Sequence, residues 1–275
     1  MRKNICILVL ILCFIATSAY AGGSGNPIQP LKNTTDHMGM GVGFGYNYVQ
    51  QRMNKLYCWE DDVKDVEVNR LSQIYGTVPV GINKNLNIIG KVGGSYYDLK
   101  FKEDDTDETI EVDLNGGIYA GVGLNGLFPM EEWLKDWENF TISIGFDVQA
   151  SGCLNDVKGV TRAGAGTSDE SGSVYGADGQ ESVYIACKYD IEKIKTSIIP
   201  YVGAYHSWIV RGTLDDISYT QNKIESSHSF FGAFDALSFG VLVGLDVEVT
   251  KYMVFNVEGR FVGETAITTG ATIKF

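Results

Sequence analysis

Beyond its first sixteen residues this sequence has no apolar run long enough to cross a membrane as a helix, which excludes a helical membrane protein. Basic residues are scarce, with 22 Lys and Arg against 34 Asp and Glu. Binding a polyphosphate needs the opposite balance, so no nucleic acid is expected as a partner. Cysteine is scarce as well: five in all, of which Cys6 and Cys13 lie in the opening apolar run. The other three, Cys58, Cys153 and Cys187, are an odd number and no disulfide framework. Cys58 and Cys153 fall in predicted loops and are the pair that could bridge after export; the alternative leaves all three unpaired. Histidine occurs three times, at His37, His206 and His228, which leaves little material for acid–base catalysis.

The opening residues read as an address. Arg2 and Lys3 precede an apolar run from Ile5 to Ala16, and Ala19, Tyr20 and Ala21 form an A-x-A site before Gly22 and Gly23. This is the pattern of a secretory signal, expected to be cleaved after Ala21. Cys13 follows Leu12 inside the run, where a lipoprotein would need a small residue. Residues 1–21 are therefore set aside as signal, 22–36 read as a periplasmic linker, and 37–275 as one β-domain. The signal holds two bases and no acid, so 20 basic against 34 acidic residues give the mature chain a net charge of −14.

In place of apolar runs the chain has alternation. Met38, Met40, Val42, Phe44, Tyr46 and Tyr48 alternate with Gly39, Gly41, Gly43, Gly45 and Asn47. Period two means a strand with one greasy face and one small or polar face. From Ile110 the pattern puts Ile110, Val112, Leu114, Ile118, Ala120, Val122 and Leu124 on one face, with Glu111, Asp113, Asn115, Gly117 and Tyr119 on the other. It recurs from Phe140 and from Leu237.

Alternation alone suits a soluble sandwich as well as a membrane barrel, and three features favour the barrel. The predicted strands run to about 10–16 residues, where soluble strands usually have about 5 or 6 and a spanning strand needs about 9–11. The polar faces carry many glycines and charges of both signs, as a crowded, hydrated lumen would. These expected lumen charges are Glu111, Asp113, Asp147, Lys188 and Asp246, followed by Glu248, Glu258, Arg260 and Lys274. Long polar connections at 51–65, 102–109, 152–181 and 213–235 also trade places with short ones at 82–85, 190–196 and 250–251.

The fold class is therefore all-β, a transmembrane antiparallel up-and-down β-barrel. Ten strands are predicted: 38–50, 66–80, 86–101, 110–127, 140–151, 182–190, 197–212, 236–249, 252–263 and 265–275; eight is the rival count. The weakest segments are 66–80 and 197–212, where neither face is uniformly apolar and Pro79 and Pro200 intrude. One connection differs: Met130, Trp133, Leu134 and Trp137 follow Pro129 at helical spacing, which predicts a short amphipathic helix in a periplasmic turn. Trp133, Trp137 and Trp208 are the expected interfacial anchors, and the alternative for the helix is a plug across the barrel end.

The last strand places Ile267, Thr269, Ala271, Ile273 and Phe275 on one face and Thr268, Gly270, Thr272 and Lys274 on the other. With the export signal and the alternating strands, this ending resembles the small bacterial outer-membrane β-barrels of the OmpA/OmpX transmembrane kind, although ten strands depart from their eight. The resemblance implies residence in the bacterial outer membrane, insertion by the outer-membrane assembly machinery using the terminal residues 267–275, and contact with outer-membrane lipid and lipopolysaccharide.

Candidate sites are few. Gly121, Gly123 and Gly126 spell G-x-G-x-x-G, but a dinucleotide motif needs a helix that begins inside it, whereas Pro129 restarts this chain. The acidic clusters Glu60–Asp62 and Glu103–Glu108 lack the ligand spacing of a calcium loop and read as solvated surface. Ten-stranded outer-membrane proteases of the omptin kind hold a histidine beside carboxylates at the outer rim; their paired motifs are absent here, although Asp215 and Asp216 lie near the outer end of the seventh strand. No catalytic residue, cofactor or metal is assigned. The expectation is a monomeric, non-enzymatic surface protein that is structural or binds through its loops, including the Gly-, Ser- and Ala-rich 152–181; the alternative is a narrow porin-like channel for small solutes, and an omptin-like hydrolase is the weakest reading.

Overall fold

The computed structural model describes residues 28, 31, 39–53, 63–103, 109–130, 139–162, 166–168, 172–213, 239–250 and 252–275. The strands are β1 (Gly41–Met53), β2 (Val63–Asn83), β3 (Leu86–Glu103), β4 (Thr109–Leu114), β5 (Gly117–Pro129) and β6 (Phe140–Arg162). They continue as β7 (Gly166–Ser168), β8 (Ser173–Ile191), β9 (Thr196–Thr213), β10 (Phe239–Val249), β11 (Met253–Val262) and β12 (Glu264–Lys274). Every pairing is antiparallel, and β1 closes on β12 from Gly41 opposite Lys274 to Arg52 opposite Glu264. The pieces β4 and β5 share one place between β3 and β6, and β7 pairs with β6 alone, so the ring has about ten traverses.

Both doubtful segments are strands, and their prolines sit where the ladder needs no donor. Pairing of β1 with β2 stops at Gly43 opposite Thr77, short of Pro79. Between β8 and β9 the ladder skips from Ala186–Tyr201 to Tyr189–Ile198, which spares the missing N–H of Pro200. The expected helix falls on residues 131–138, Trp133 and Trp137 included, outside the described residues. The signal, residues 1–21, also lies outside them.

Around most of the ring the apolar face points outward. Val42 is 53% exposed, Val122 64% and Val183 61%, and they belong to a continuous band with Phe44, Ile118, Ile144, Ile185, Phe255 and Val257. An apolar surface of this extent is stable only against hydrocarbon. The chain is thus a barrel of the outer-membrane type, with a polar interior.

Toward the long-loop end the polarity inverts. Ile110, Val112 and Leu114 of β4 are buried, while Glu111 and Asp113 are exposed. Beyond the break, Ile118 and Val122 point outward and Tyr119 inward, because the stretch from Asp113 to Gly117 holds one residue more than the stretch of β3 opposite it, from Asp98 to Ser95. The expectation that residues 110–124 share one lipid face is therefore corrected, and Glu111 and Asp113 are not lumen charges. The segment 152–181 is corrected as well: it is largely strand, with Gly152 opposite Ala177 and Asn155 opposite Val174. The 21 residues of β2, 23 of β6 and 19 of β8 exceed a bilayer crossing, so these strands carry a β-structured extension above the membrane.

Candidate functional site

The interior of the ring is filled in three layers. At the short-turn end, the periplasmic side in outer-membrane barrels generally, Asp246 of β10 is fully buried. Its Oδ1 accepts from Asn256 Nδ2 at 2.5 Å and its Oδ2 from the main-chain N–H of Ile28 at 2.8 Å. Asn256 also donates to the Tyr201 hydroxyl at 3.1 Å, and that hydroxyl donates to Glu258 Oε2 at 2.9 Å. Across the bore, Asn87 Nδ2 donates to Asn125 Oδ1, and Asn87 Oδ1 accepts the N–H of Leu31, both at 2.9 Å. Ile28 and Leu31, two residues of the expected periplasmic linker 22–36, thus lie inside the barrel. At the rim Lys274 reaches Glu248 at 2.7 Å, and Lys188 lies 3.3 Å from Asp190 and 3.5 Å from Glu248.

The middle layer is charged and paired. Lys91 of β3 donates to Gln149, which donates in turn to Asp147, and its ammonium lies 4.9 Å from the centre of the Tyr75 ring. Arg260 Nε stands 2.7 Å from Glu264 Oε1, an ion pair by distance although its N–H is not aimed at the oxygen, and the guanidinium sits 5.6 Å from the Tyr205 ring centre. Between these groups lies a cavity of about 50 Å³ lined by Lys91, Tyr119, Ser151, Asp178, Arg260 and Glu264. Most of the side chains around it are polar, the kind of wall that ordered water bridges.

The outer layer is apolar. Val49, Leu71, Tyr97, Leu99, Leu114 and Val160 belong to one buried cluster, and Cys153 joins it. Within the height of this cluster Asn155, between Cys153 and Val157, bridges Ser95 and the Asn115 carbonyl with bonds of 2.8–2.9 Å. On the exposed flank of the extension Asp98 stands directly opposite Asp113. Partial burial, and then the Asp113 charge, raise its carboxyl above the ordinary range, with Arg70 opposing.

Of the residues singled out in the sequence, Asp147, Asp246, Glu258 and Arg260 are buried in the lumen, and Lys188, Glu248 and Lys274 form the rim. Ile273 and Phe275 are exposed on the outer face of the closing strand, where Ile267, Thr269 and Ala271 share their parity. Trp208 lies in the backbone of β9. Cys58, Asp215, Asp216 and His228 fall outside the described residues, and Cys187 is half-buried. His206 has a carboxylate beside it, with Nδ1 3.0 Å from Glu181 Oε2, but the pair faces outward and its ring packs 4.8 Å from Phe239. Among the described residues no three His, Cys, Asp or Glu side chains gather as a metal site would require. The glycine motif 121–126 is part of β5, where Gly121 faces Ser151 and Gly126 faces Phe146.

Sequence reasoning missed Lys91, the inward placement of Ile28 and Leu31, and the carboxylate beside His206. Lys91 had a signal, an odd position in a run whose even positions Ile88 and Val92 face lipid; the 25-residue gap from Glu181 to His206 had none.

No protein-family model matches the sequence, and comparison with curated proteins finds no match. Among solved structures, the outer membrane protease OmpT from Escherichia coli aligns with 10% identity over 90% of this chain and 97% of its own, with a TM-score of 0.42. The transport unit of the autotransporter AIDA-I from Escherichia coli aligns with 10% identity over 96% and 97%, TM-score 0.39. The outer membrane protein OprG from Pseudomonas aeruginosa gives 8% identity over 91% and 99%, TM-score 0.29. Likeness at this level assigns neither ligand nor activity.

Proposed function

We propose that this chain is a non-conducting outer-membrane barrel that presents its β-structured extension and outer loops as a structural or binding surface. The observation that carries this reading is the filled bore, with a buried polar layer at the periplasmic mouth, a paired ionic layer at mid-height and an apolar cluster above. A solute path through it would have to break ion pairs and hydrogen bonds in one layer and open a packed apolar core in the next, and each step is costly. The monomer, held by outer-membrane lipid and lipopolysaccharide and inserted by the assembly machinery, needs no cofactor in this reading.

Planar-bilayer recording of the refolded chain tests it. We expect a flat baseline; steady single-channel steps would favour the narrow-channel reading instead. The proposal is also non-enzymatic: His206 and Glu181 make an outward-facing dyad packed against the Phe239 ring. Peptide or lipid hydrolysis that disappears in His206→Ala would overturn that part.

A further inference from the structure

Two hydrogen bonds at the periplasmic mouth come from opposite walls. Asp246 belongs to β10 and Asn87 to β3, five places apart in a ring of about ten, and both side chains are buried. One captures the N–H of Ile28 and the other the N–H of Leu31. The two amides are three positions apart in the sequence, so one short stretch of chain is held by both walls.

The wall is shaped around it. The Ile28 side chain packs in a buried cluster with Leu127, Ala186, Ile199 and Leu242, drawn from four different strands. A Cβ at Gly81 would stand 2.5 Å from the Leu31 carbonyl oxygen, so the wall is relieved where that carbonyl lies. Among the described residues this recognition reads two main-chain N–H groups and two buried apolar residues, Ile28 and Leu31.

We propose that the periplasmic mouth is a binding site for an extended peptide, filled here by the chain's own N-terminal segment as an internal ligand. Withdrawal of that segment turns the mouth into a vestibule open to the periplasm. It does not by itself create a pore, because the charged layer and the apolar cluster lie farther along the bore. The inference therefore stands apart from the non-conducting reading, and either can fail alone.

Amide hydrogen exchange on the full mature chain, folded in detergent micelles, tests the docking. The Ile28 and Leu31 amides are expected to exchange at least about ten-fold more slowly than in an unstructured peptide, and to lose that protection in Asp246→Ala and Ile28→Asp while the strand amides keep theirs. Rates at both positions equal to those of a free peptide would overturn it. Ile28→Asp lies outside the strands, so it remains informative if Asp246→Ala fails to fold, which heat-shifted gel mobility reports. Binding is tested with a labelled synthetic peptide of residues 22–37. It should bind Ile28→Asp saturably and at least about ten-fold more tightly than the wild-type chain, whose site is filled. Equal binding to both, or none to the variant, would contradict the site.

Discussion

Four inward tyrosines each stand directly across a strand pair from a glycine: Tyr75 from Gly45, Tyr184 from Gly145, Tyr201 from Gly244 and Tyr205 from Gly240. A Cβ at any of these glycines would collide with the facing ring, so the ring fills the volume the glycine leaves. Tyr184 cannot swing aside freely, because it packs 5.3 Å from Tyr201. Gly145→Ala should therefore destabilise the barrel by about 1–3 kcal/mol, read from urea unfolding in micelles. A second residue-scale prediction concerns Asp98, in the extension. Its folded carboxyl titrates above the unfolded value, so the folded state binds more protons and stability falls as pH rises through that window. Asp98→Asn should unfold at a higher temperature than the parent at pH 7, and the two should converge below about pH 4, near the unfolded aspartate value.

At the level of elements, the traverse made by β4 and β5 shows where reading by period two stops. Ile110, Val112, Leu114, Ile118 and Val122 all carry even numbers, and a continuous strand would put them on one face. The extra residue at Asn115–Gly116 shifts the phase, so the first three enter a soluble-like core and the rest meet lipid. Leu114→Ala should cost about 2–5 kcal/mol, as a fully buried core truncation does. Glu111→Ala, which removes an exposed pair with Lys100 at 3.0 Å, should change stability by about 1 kcal/mol or less. Equal effects of the two in thermal unfolding would mean that Glu111 faces inward after all. Segment 152–181 was misread for a related reason: Gly, Ser and Ala signal a loop when considered singly, but here β6 and β8 pair with each other and supply the missing context.

For the whole molecule, the features legible in the sequence were those set by repetition. Period-two faces, a run of long strands and alternating connection lengths led to a closed ring, and the ring closes between β1 and β12. The occupants of the ring were less legible. Asp246 and Asn256 are adjacent in space through a hairpin and so within reach of inference, whereas Ile28 meets Asp246 across 218 residues, a contact only the closed fold creates. The outer face of the barrel meets hydrocarbon below the extension and water beside it. The most direct test of that placement is fluorescence quenching in vesicles of lipid brominated at mid-chain, comparing Val122→Trp and Glu111→Trp, each against the parent chain. The added emission at position 122 should be strongly quenched and that at 111 should not; an unquenched tryptophan at 122, or equal quenching at both, would contradict the account.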